Sequence, residues 1–305
     1  MSGHPETERD FPLERLTTIR IGGPADFYAE PDSEEHLVSL LAWAQERGLE
    51  LGIVGSGSNL LIADDGFRGL VLKLKGALAG IERTGDLVEC GGGARLPSVA
   101  AKVAGWGLSG LEFGVNIPGT VGGAVRMNAN AYGGELGKVL DRVRICTGAG
   151  ARDAVPEDLG FRYRDSDLTP GEVVSRAWFE LTPGEPEEIK ATMAEMRGKR
   201  REAQPSGIKT FGSTFVNPSD ERAEGRSAGM LLDEAGCRGL TVGGARLSEK
   251  HANFVENFDS ATTTDVLAVM SQARHRVHEQ FGLVLEPEVQ TLGAVEWPAD
   301  WEIGD

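Results

Sequence analysis

Gly55-Ser56-Gly57-Ser58-Asn59-Leu60 follows the apolar run Leu51 to Val54, and its reading decides the fold. A dinucleotide fingerprint of the GxGxxG kind needs a third glycine for close helix packing, a helix behind it and an acid for the ribose. Leu60 stands at the third glycine's place, and neither the helix nor the acid follows, which argues against a Rossmann unit. What remains is a turn whose N–H groups can wrap an anion as a nest. A glycine-rich hairpin turn is an equal reading of this loop alone. Strand character is then broken by Asp64-Asp65-Gly66 and resumes from Leu70 to Leu74, so the segment reads as strand, loop, hairpin.

A second glycine-rich stretch, Ile117-Pro118-Gly119-Thr120-Val121-Gly122-Gly123-Ala124, runs into Met127-Asn128-Ala129-Asn130-Ala131-Tyr132-Gly133-Gly134. It has hardly any large apolar side chain, so it is expected as a long loop outside any conventional core and ordered by a ligand. Two such loops without a helix-borne phosphate motif suggest a diphosphate threaded between two subdomains. That is the expectation for FAD held by a non-Rossmann fold.

Around these loops the periodicity predicts helices. One spans about Ser33 to Arg47, with Ser33 as N-cap, Glu34 and Glu35 in the positive first turn, and Leu37, Leu40, Leu41 and Ala44 as its buried stripe. A second starts at Pro97 and stops near Gly105 to Gly107. Short strands and turns fill Arg142 to Leu181, and a helix over Glu187 to Arg201 buries Ile189, Met193 and Met196. After the break at Gln204-Pro205-Ser206-Gly207 come a short helix near Ala228 to Ala235, strands near Leu240 to Leu247 and Asn253 to Asn257, and a helix from Thr264 to Gln280. A last strand alternates Leu283, Leu285, Pro287 and Val289 against Val284, Glu286, Glu288 and Gln290.

Composition narrows the function. Glycine, at 42 of 305 residues, is near double the usual share of about 7%. A net charge of -16 argues against nucleic acid and acidic membrane surfaces, which need a basic footprint. Cys90, Cys146 and Cys237 are far apart and form no CxxC pair, so they read as buried thiols of a reducing cytosol. His275 and His278 sit three apart on the last helix with no evident third ligand, so no metal is expected. The polar N-terminus and the lack of an apolar run of about eighteen residues read as a cytoplasmic protein without membrane insertion.

Several segments together resemble the enolpyruvylglucosamine reductases. They are Thr17 to Ala25 (TTIRIGGPA), Gly55 to Leu61, Gly110 to Gly134, Phe161 to Ser166 (FRYRDS), Gly212 to Pro218 (GSTFVNP), Ser248 to Phe254 (SEKHANF) and Leu285 to Val289 (LEPEV). The resemblance spans about Leu16 to Gly293 and is to the shorter subtype, without the inserted tyrosine loop. Asn130 stands where that family commonly has glycine, Val216 where it often has a basic residue, and Gln290 where arginine is frequent.

The resemblance implies an α+β fold: a two-part FAD-binding region of the vanillyl-alcohol-oxidase/PCMH type and a C-terminal α+β substrate-binding domain. The expected division is a tail over 1–15, FAD-binding subdomains over 16–74 and 75–203, and a substrate domain over 204–283. A terminal strand over 284–293 could return to the FAD region, and an acidic tail with Trp297 and Trp301 closes the chain. The junction of the FAD and substrate regions is expected to make the active-site cleft.

It also implies a chemistry: hydride from NADPH to FAD, then to C3 of an enolpyruvyl nucleotide sugar, with a proton to C2, by a monomer or weak oligomer. Ser213 matches the proton donor, Arg164 the partner of the enolpyruvyl carboxylate, and Glu288 a third position supporting the enolate. FAD is expected on Gly55, Ser56, Gly57, Ser58, Asn59, Leu60, Pro118, Gly119, Thr120, Gly122, Gly123, Ala124, Asn128 and Gly133, and substrate on Tyr132, Asn217 and His251.

Each catalytic candidate has a plainer reading: a turn serine, a surface arginine paired with Asp165 or Asp167, and the solvent face of a strand. Two other functions compete. A flavin oxidase of the same fold would want a histidine or tyrosine base, and a non-catalytic nucleotide-sugar sensor would have lost Ser213 or Glu288.

Overall fold

A computed structural model of the protein describes residues 5–302. The chain folds as two units: one holds the residues up to Arg9, Asp26–Ser56 and Gly69–Arg200, the other Asp10–Ala25, Gly57–Arg68 and the chain from Arg201. Mixed helices and strands in both bear out the α+β class.

A four-stranded sheet has the order Glu8–Pro12, Pro24–Ala29, Phe67–Leu72, Glu50–Ile53. The last two pair in parallel, from Glu50 opposite Gly69 to Ile53 opposite Leu72. The segment expected as an N-terminal tail therefore supplies an edge strand. The expected hairpin is also corrected: Leu60–Ile62 pairs in parallel with Gln290–Leu292, not with Phe67–Leu72.

Helix α1 (Glu34–Glu46) forms as its sequence predicts. Ser33 Oγ accepts the N–H of His36, and two glutamates face the positive first turn. Its Leu37, Leu40 and Leu41 pack with Leu70, Leu72, Cys146 and Val173, each burial contributing about 1.5–3 kcal/mol before entropy is counted.

A five-stranded antiparallel sheet has the order Gly150–Ala154, Leu140–Thr147, Val173–Glu180, Leu87–Gly91, Ile81–Thr84. Helix α2 (Leu96–Gly105) lays Leu96, Val99 and Val103 on its core. The glycine-rich stretch departs from expectation here. It holds a short helix, α3 (Val121–Arg126), whose Val121, Ala124 and Val125 enter the same core. Gly122 keeps this helix slim enough to lie against Gly92, whose carbonyl accepts the Gly122 N–H at 2.8 Å. Helix α4 (Pro186–Ala203) closes this unit's chain and buries Ile189 and Met193, with Met196 half-buried.

The second unit is built on a three-stranded antiparallel meander, Thr241–Val242, Ala245–Leu247 and Val255–Asn257. Helices α5 (Ala228–Glu234) and α6 (Thr263–Phe281) pack into its core through Leu231, Leu232, Val266, Met270, Ala273 and Val277. Thr262 and Asp265 form a capping box at the start of α6, and Gly282 ends it at φ 67°. Gly22 and Gly23 thread this unit because a Cβ on either would meet Ile62 Cβ at 2.5 Å or the Asp64 carbonyl at 2.3 Å.

From Leu283 to Val289 burial alternates as expected, although the ladder is short, with one bridge at Pro287 before the strand at Gln290. The acidic tail docks in part: Trp297 and Trp301 stack with ring centroids 4.3 Å apart against this core, and the Arg274 guanidinium lies 4.6 Å from the Trp301 ring. Among the described residues no helix is long and apolar enough to cross a membrane.

Candidate active site

In the second unit, three sequence-distant segments are joined at Glu288. Its N–H donates to the Thr214 carbonyl at 2.8 Å, and its own carbonyl accepts from Asn59 Nδ2 at 3.1 Å. Gln290 N–H donates to the Asn59 carbonyl, and Val216 N–H to the Glu286 carbonyl. Ser213 bridges to Phe254, and Phe215 to Pro287. Ser213 and Glu288 thus sit on neighbouring extended segments, both half-buried. Gly212 precedes the serine at φ 86°, a left-handed turn that suits glycine.

Asn253, buried and given no role from sequence, holds this arrangement. Its Oδ1 accepts the Phe215 N–H at 2.9 Å, its Nδ2 donates to the Phe215 carbonyl at 2.9 Å, and its carbonyl accepts the Thr214 N–H. A polar residue between apolar Ala252 and Phe254 was the signal that could have found it.

Asn217 and His251 are placed less simply than expected. Asn217 Oδ1 accepts the first N–H of α5, from Ala228, at 3.0 Å, so part of its capacity caps a helix. His251 Nδ1 accepts the Asn253 N–H at 3.3 Å, and its ring lies on Phe254 with centroids 4.8 Å apart. Burial, then Arg238, holds its pKa below the ordinary histidine value. A neutral ring with its proton on Nε2 follows.

In the first unit, two hairpin tips meet. Asn130–Ala131 pairs with Gly134–Glu135 around Tyr132 and Gly133, whose φ of 51° and 82° match the mirror-image turn that tight hairpins favour. Arg162 bridges to Asp165 around Tyr163 and Arg164, with Arg164 at φ 58°. Arg164 Nη1 donates to the Asn130 carbonyl at 3.1 Å and to Asn130 Oδ1 at 3.0 Å.

The acids Asp165 and Asp167 pair with Arg162, both at 2.7 Å. Asn130, where the resembled family commonly has glycine, is not left-handed; it lies in a short strand. Asn128, expected on the cofactor, is buried and ties the tips together, donating to Glu135 at 2.9 Å and to the Arg162 carbonyl at 3.2 Å. The hydrogen bond from Asn128 holds the Glu135 carboxyl below its usual range, helped by Lys138. Tyr132, exposed, accepts from Asn116 Nδ2 at 3.1 Å, and Arg200 donates to the Asn116 carbonyl. Neither Asn116 nor Arg200 stood out in the sequence.

The two glycine-rich loops also meet in this unit. A Cβ on Gly55 would lie 2.4 Å from Thr120 Oγ1, so only glycine allows the approach. Arg95 bridges to Thr120, and the Leu96 N–H donates to the Gly119 carbonyl. Gly123 is exposed, and a Cβ there or on Gly119 would meet nothing closer than 3.6 Å or 3.9 Å. Gly55, Ser56, Pro118, Gly119, Thr120, Gly122, Gly123 and Ala124 thus gather around one stretch of bare backbone, which suits close approach of a diphosphate. Gly57, Ser58, Asn59 and Leu60 continue the first loop in the second unit, where the Gly57 carbonyl accepts the Thr18 N–H. The bare backbone of the first unit fits the diphosphate of FAD, and the hairpin-turn reading of the first loop falls with the pairing described above.

Comparison with known proteins carries this further. Residues 25–152 match the model of an FAD binding domain, and residues 204–292 that of the UDP-N-acetylenolpyruvoylglucosamine reductase C-terminal domain. The chain is 44% identical to a reductase of that name from Agathobacter rectalis, covering 93% of each. It is 41% identical to one from Rubrobacter xylanophilus, covering 95% of this chain and 96% of that one.

The chain belongs to the UDP-N-acetylenolpyruvoylglucosamine reductase family. The crystal structure of the family member from Thermus caldophilus is 37% identical and superposes with a TM-score of 0.80 over 96% of this chain and 99% of that one. As a member of this reductase family the protein is an FAD-dependent oxidoreductase.

Proposed function

We propose that the protein reduces UDP-N-acetylglucosamine enolpyruvate to UDP-N-acetylmuramate, a step of peptidoglycan precursor synthesis, with NADPH as reductant. The observation that carries the reading is the backbone hydrogen bond Glu288–Thr214, which joins the segment bearing Glu288 to the one bearing Ser213. The glycine-rich loops would hold FAD, which when bound would supply the hydride chemistry between NADPH and C3 of the enolpyruvyl group.

Hydride addition at C3 leaves negative charge on C2 and its carboxylate. Arg164 pairs with that carboxylate through its planar fork of donors and spreads the charge. Glu288 supports the enolate as an acid or as an orienting group, and Ser213 Oγ delivers its proton to C2. Tyr132, Asn217 and His251 contact substrate, His251 as a neutral donor through Nε2. The glycine loops, with Asn128 and Gly133, would hold FAD.

No histidine or tyrosine base takes part in this scheme, which sets it apart from a flavin oxidase. The reaction belongs to the cytoplasm, where it serves wall growth, cell shape and division, and the protein acts as a monomer or weak oligomer. Purified protein should be yellow and consume NADPH only when the enolpyruvyl substrate is added. A flavoprotein with no substrate-dependent turnover would favour the oxidase or sensor readings, and a colourless protein unable to take up FAD would remove the reading altogether.

A further inference from the structure

We propose that Asn116 is a positioning residue for Tyr132: it holds the phenol oxygen as an acceptor, so that the phenol hydrogen is presented to an acceptor oxygen of the nucleotide-sugar substrate. The inference rests on the proposed contact of Tyr132 with that substrate. Asn116 is the last residue of a 3-10 turn, Glu112–Asn116, directly before the Ile117-Pro118-Gly119 loop, and is 8% exposed. Tyr132, at the tip of its hairpin, is 43% exposed. A buried amide thus meets an exposed phenol, with Asn116 Nδ2 3.1 Å from the Tyr132 hydroxyl.

The direction of that bond follows from a second one. Asn116 Nδ2 also donates to the Met196 carbonyl at 2.8 Å. A carbonyl can only accept, so the amide nitrogen and not its oxygen faces Met196, which fixes the orientation of the whole amide group. The same nitrogen then donates to Tyr132, and both of its hydrogens are used. Asn116 is held through its backbone as well: Arg200, one turn beyond Met196 in α4, donates to its main-chain carbonyl. With its oxygen accepting from Nδ2, the phenol keeps its own hydrogen, and among the described residues it makes no other hydrogen bond. Tyr132 also stands at φ 51°, a conformation that bulky L residues take up only where their surroundings hold them, and the bond to Asn116 is one such hold. The bonds to Met196 and Arg200 alone would knit a loop to a helix; the third ends on a group that the substrate is proposed to touch.

The test uses the FAD-loaded protein and reads the dissociation constant of UDP-N-acetylglucosamine enolpyruvate from the flavin difference spectrum, without reductant. Tyr132→Phe should weaken binding about three- to tenfold, the scale of one hydrogen bond. Asn116→Ala should give a loss of the same order, since the phenol can then turn its hydrogen away. Asn116→Asp keeps the size of the side chain but replaces the donor by an acceptor, which draws the phenol hydrogen to itself and should weaken binding at least as much. In the Tyr132→Phe background neither Asn116 variant should add a further loss, because the amide acts on the substrate only through the phenol. A role confined to knitting the loop to α4 would instead give losses that multiply in that background. Flavin content after gel filtration tells whether each variant is folded and loaded.

If the wild-type flavin spectrum does not respond to the enolpyruvyl substrate, the proposed function fails and this role fails with it. If it responds but Tyr132→Phe binds as tightly as wild type, the contact of Tyr132 is lost and the positioning role with it. If Tyr132→Phe weakens binding while both Asn116 variants bind like wild type, the contact stands and the proposal is overturned. Asn116 losses that persist in full beside Tyr132→Phe, or that fall on flavin content and not on substrate affinity, would also overturn it, since Asn116 would then act on the loop.

Discussion

The N–H of Glu288 donates to the carbonyl of Thr214 at 2.8 Å, which makes the segment bearing the carboxyl group and the segment bearing Ser213 one hydrogen-bonded pair. Residues 74 positions apart in the chain, 214 and 288, are held in register by backbone, so neither side chain is needed to keep the other in place. Substitution at Ser213 should therefore report chemistry rather than folding.

Ser213→Ala should lower the rate of substrate reduction by about 10²- to 10⁴-fold, the range for a positioned proton donor, while NADPH still reduces the flavin at the wild-type rate. Stopped-flow absorbance separates the two steps. Equal slowing of both would assign Ser213 to cofactor binding instead.

Asn253→Ala should destabilise the protein by about 2 kcal/mol or more, because it strips two buried backbone groups of Phe215 of their partners. Urea unfolding followed by fluorescence measures this, and substrate reduction should fall as well. Wild-type stability would mean that the Gly212–Asn217 segment is held by its bridges to Phe254 and Pro287 alone.

Gly55→Ala should impair FAD retention, since its Cβ would meet Thr120 Oγ1 at 2.4 Å and push the two loops apart. The ratio of flavin to protein absorbance after gel filtration gives the answer. Full flavin content would detach the Gly55–Thr120 approach from cofactor binding.

His251 gives stability a pH dependence. Its folded pKa lies below the unfolded value of about 6.5, so the unfolded chain takes up the proton first as pH falls. The stability it contributes is whole above about pH 6.5 and is lost as pH drops through the folded pKa, with a slope of up to about 1.4 kcal/mol per pH unit. In His251→Gln that slope should shrink between pH 6.5 and 5, as unfolding curves at several pH values will show. The three cysteines should stay unreactive over the same range, since burial pushes Cys90 up to about 12 and Cys237 to about 11, and raises Cys146.

Local features of the fold were legible in the sequence because their causes are local. The Ser33 cap, the apolar stripe of α1 and the terminal glycine of α6 each lie within a few residues of the helix they define. Pairing was not legible. Leu60–Ile62 has the look of a hairpin arm, but its partner, Gln290–Leu292, lies 230 positions away, and alternation carries no record of that. Helix α3 was hidden because its three buried residues are interleaved with glycines that lower helix propensity, and packing against Gly92 overrides the propensity.

For the candidate site, motif matching pointed to Ser213, Arg164 and Glu288, while Asn253, Asn116 and Arg200 act through buried contacts that no spacing rule encodes. Arg162 and Arg164 are alike in sequence, each near Asp165. Only the hairpin turn, which sends them to different partners, separates the arginine that binds Asp165 from the one that donates to Asn130.

The central claim is tested most directly by reducing the enzyme-bound flavin anaerobically with one equivalent of NADPH and then adding UDP-N-acetylglucosamine enolpyruvate. The account predicts that the flavin is re-oxidised and one equivalent of UDP-N-acetylmuramate appears. A flavin that stays reduced in the presence of that substrate would contradict it.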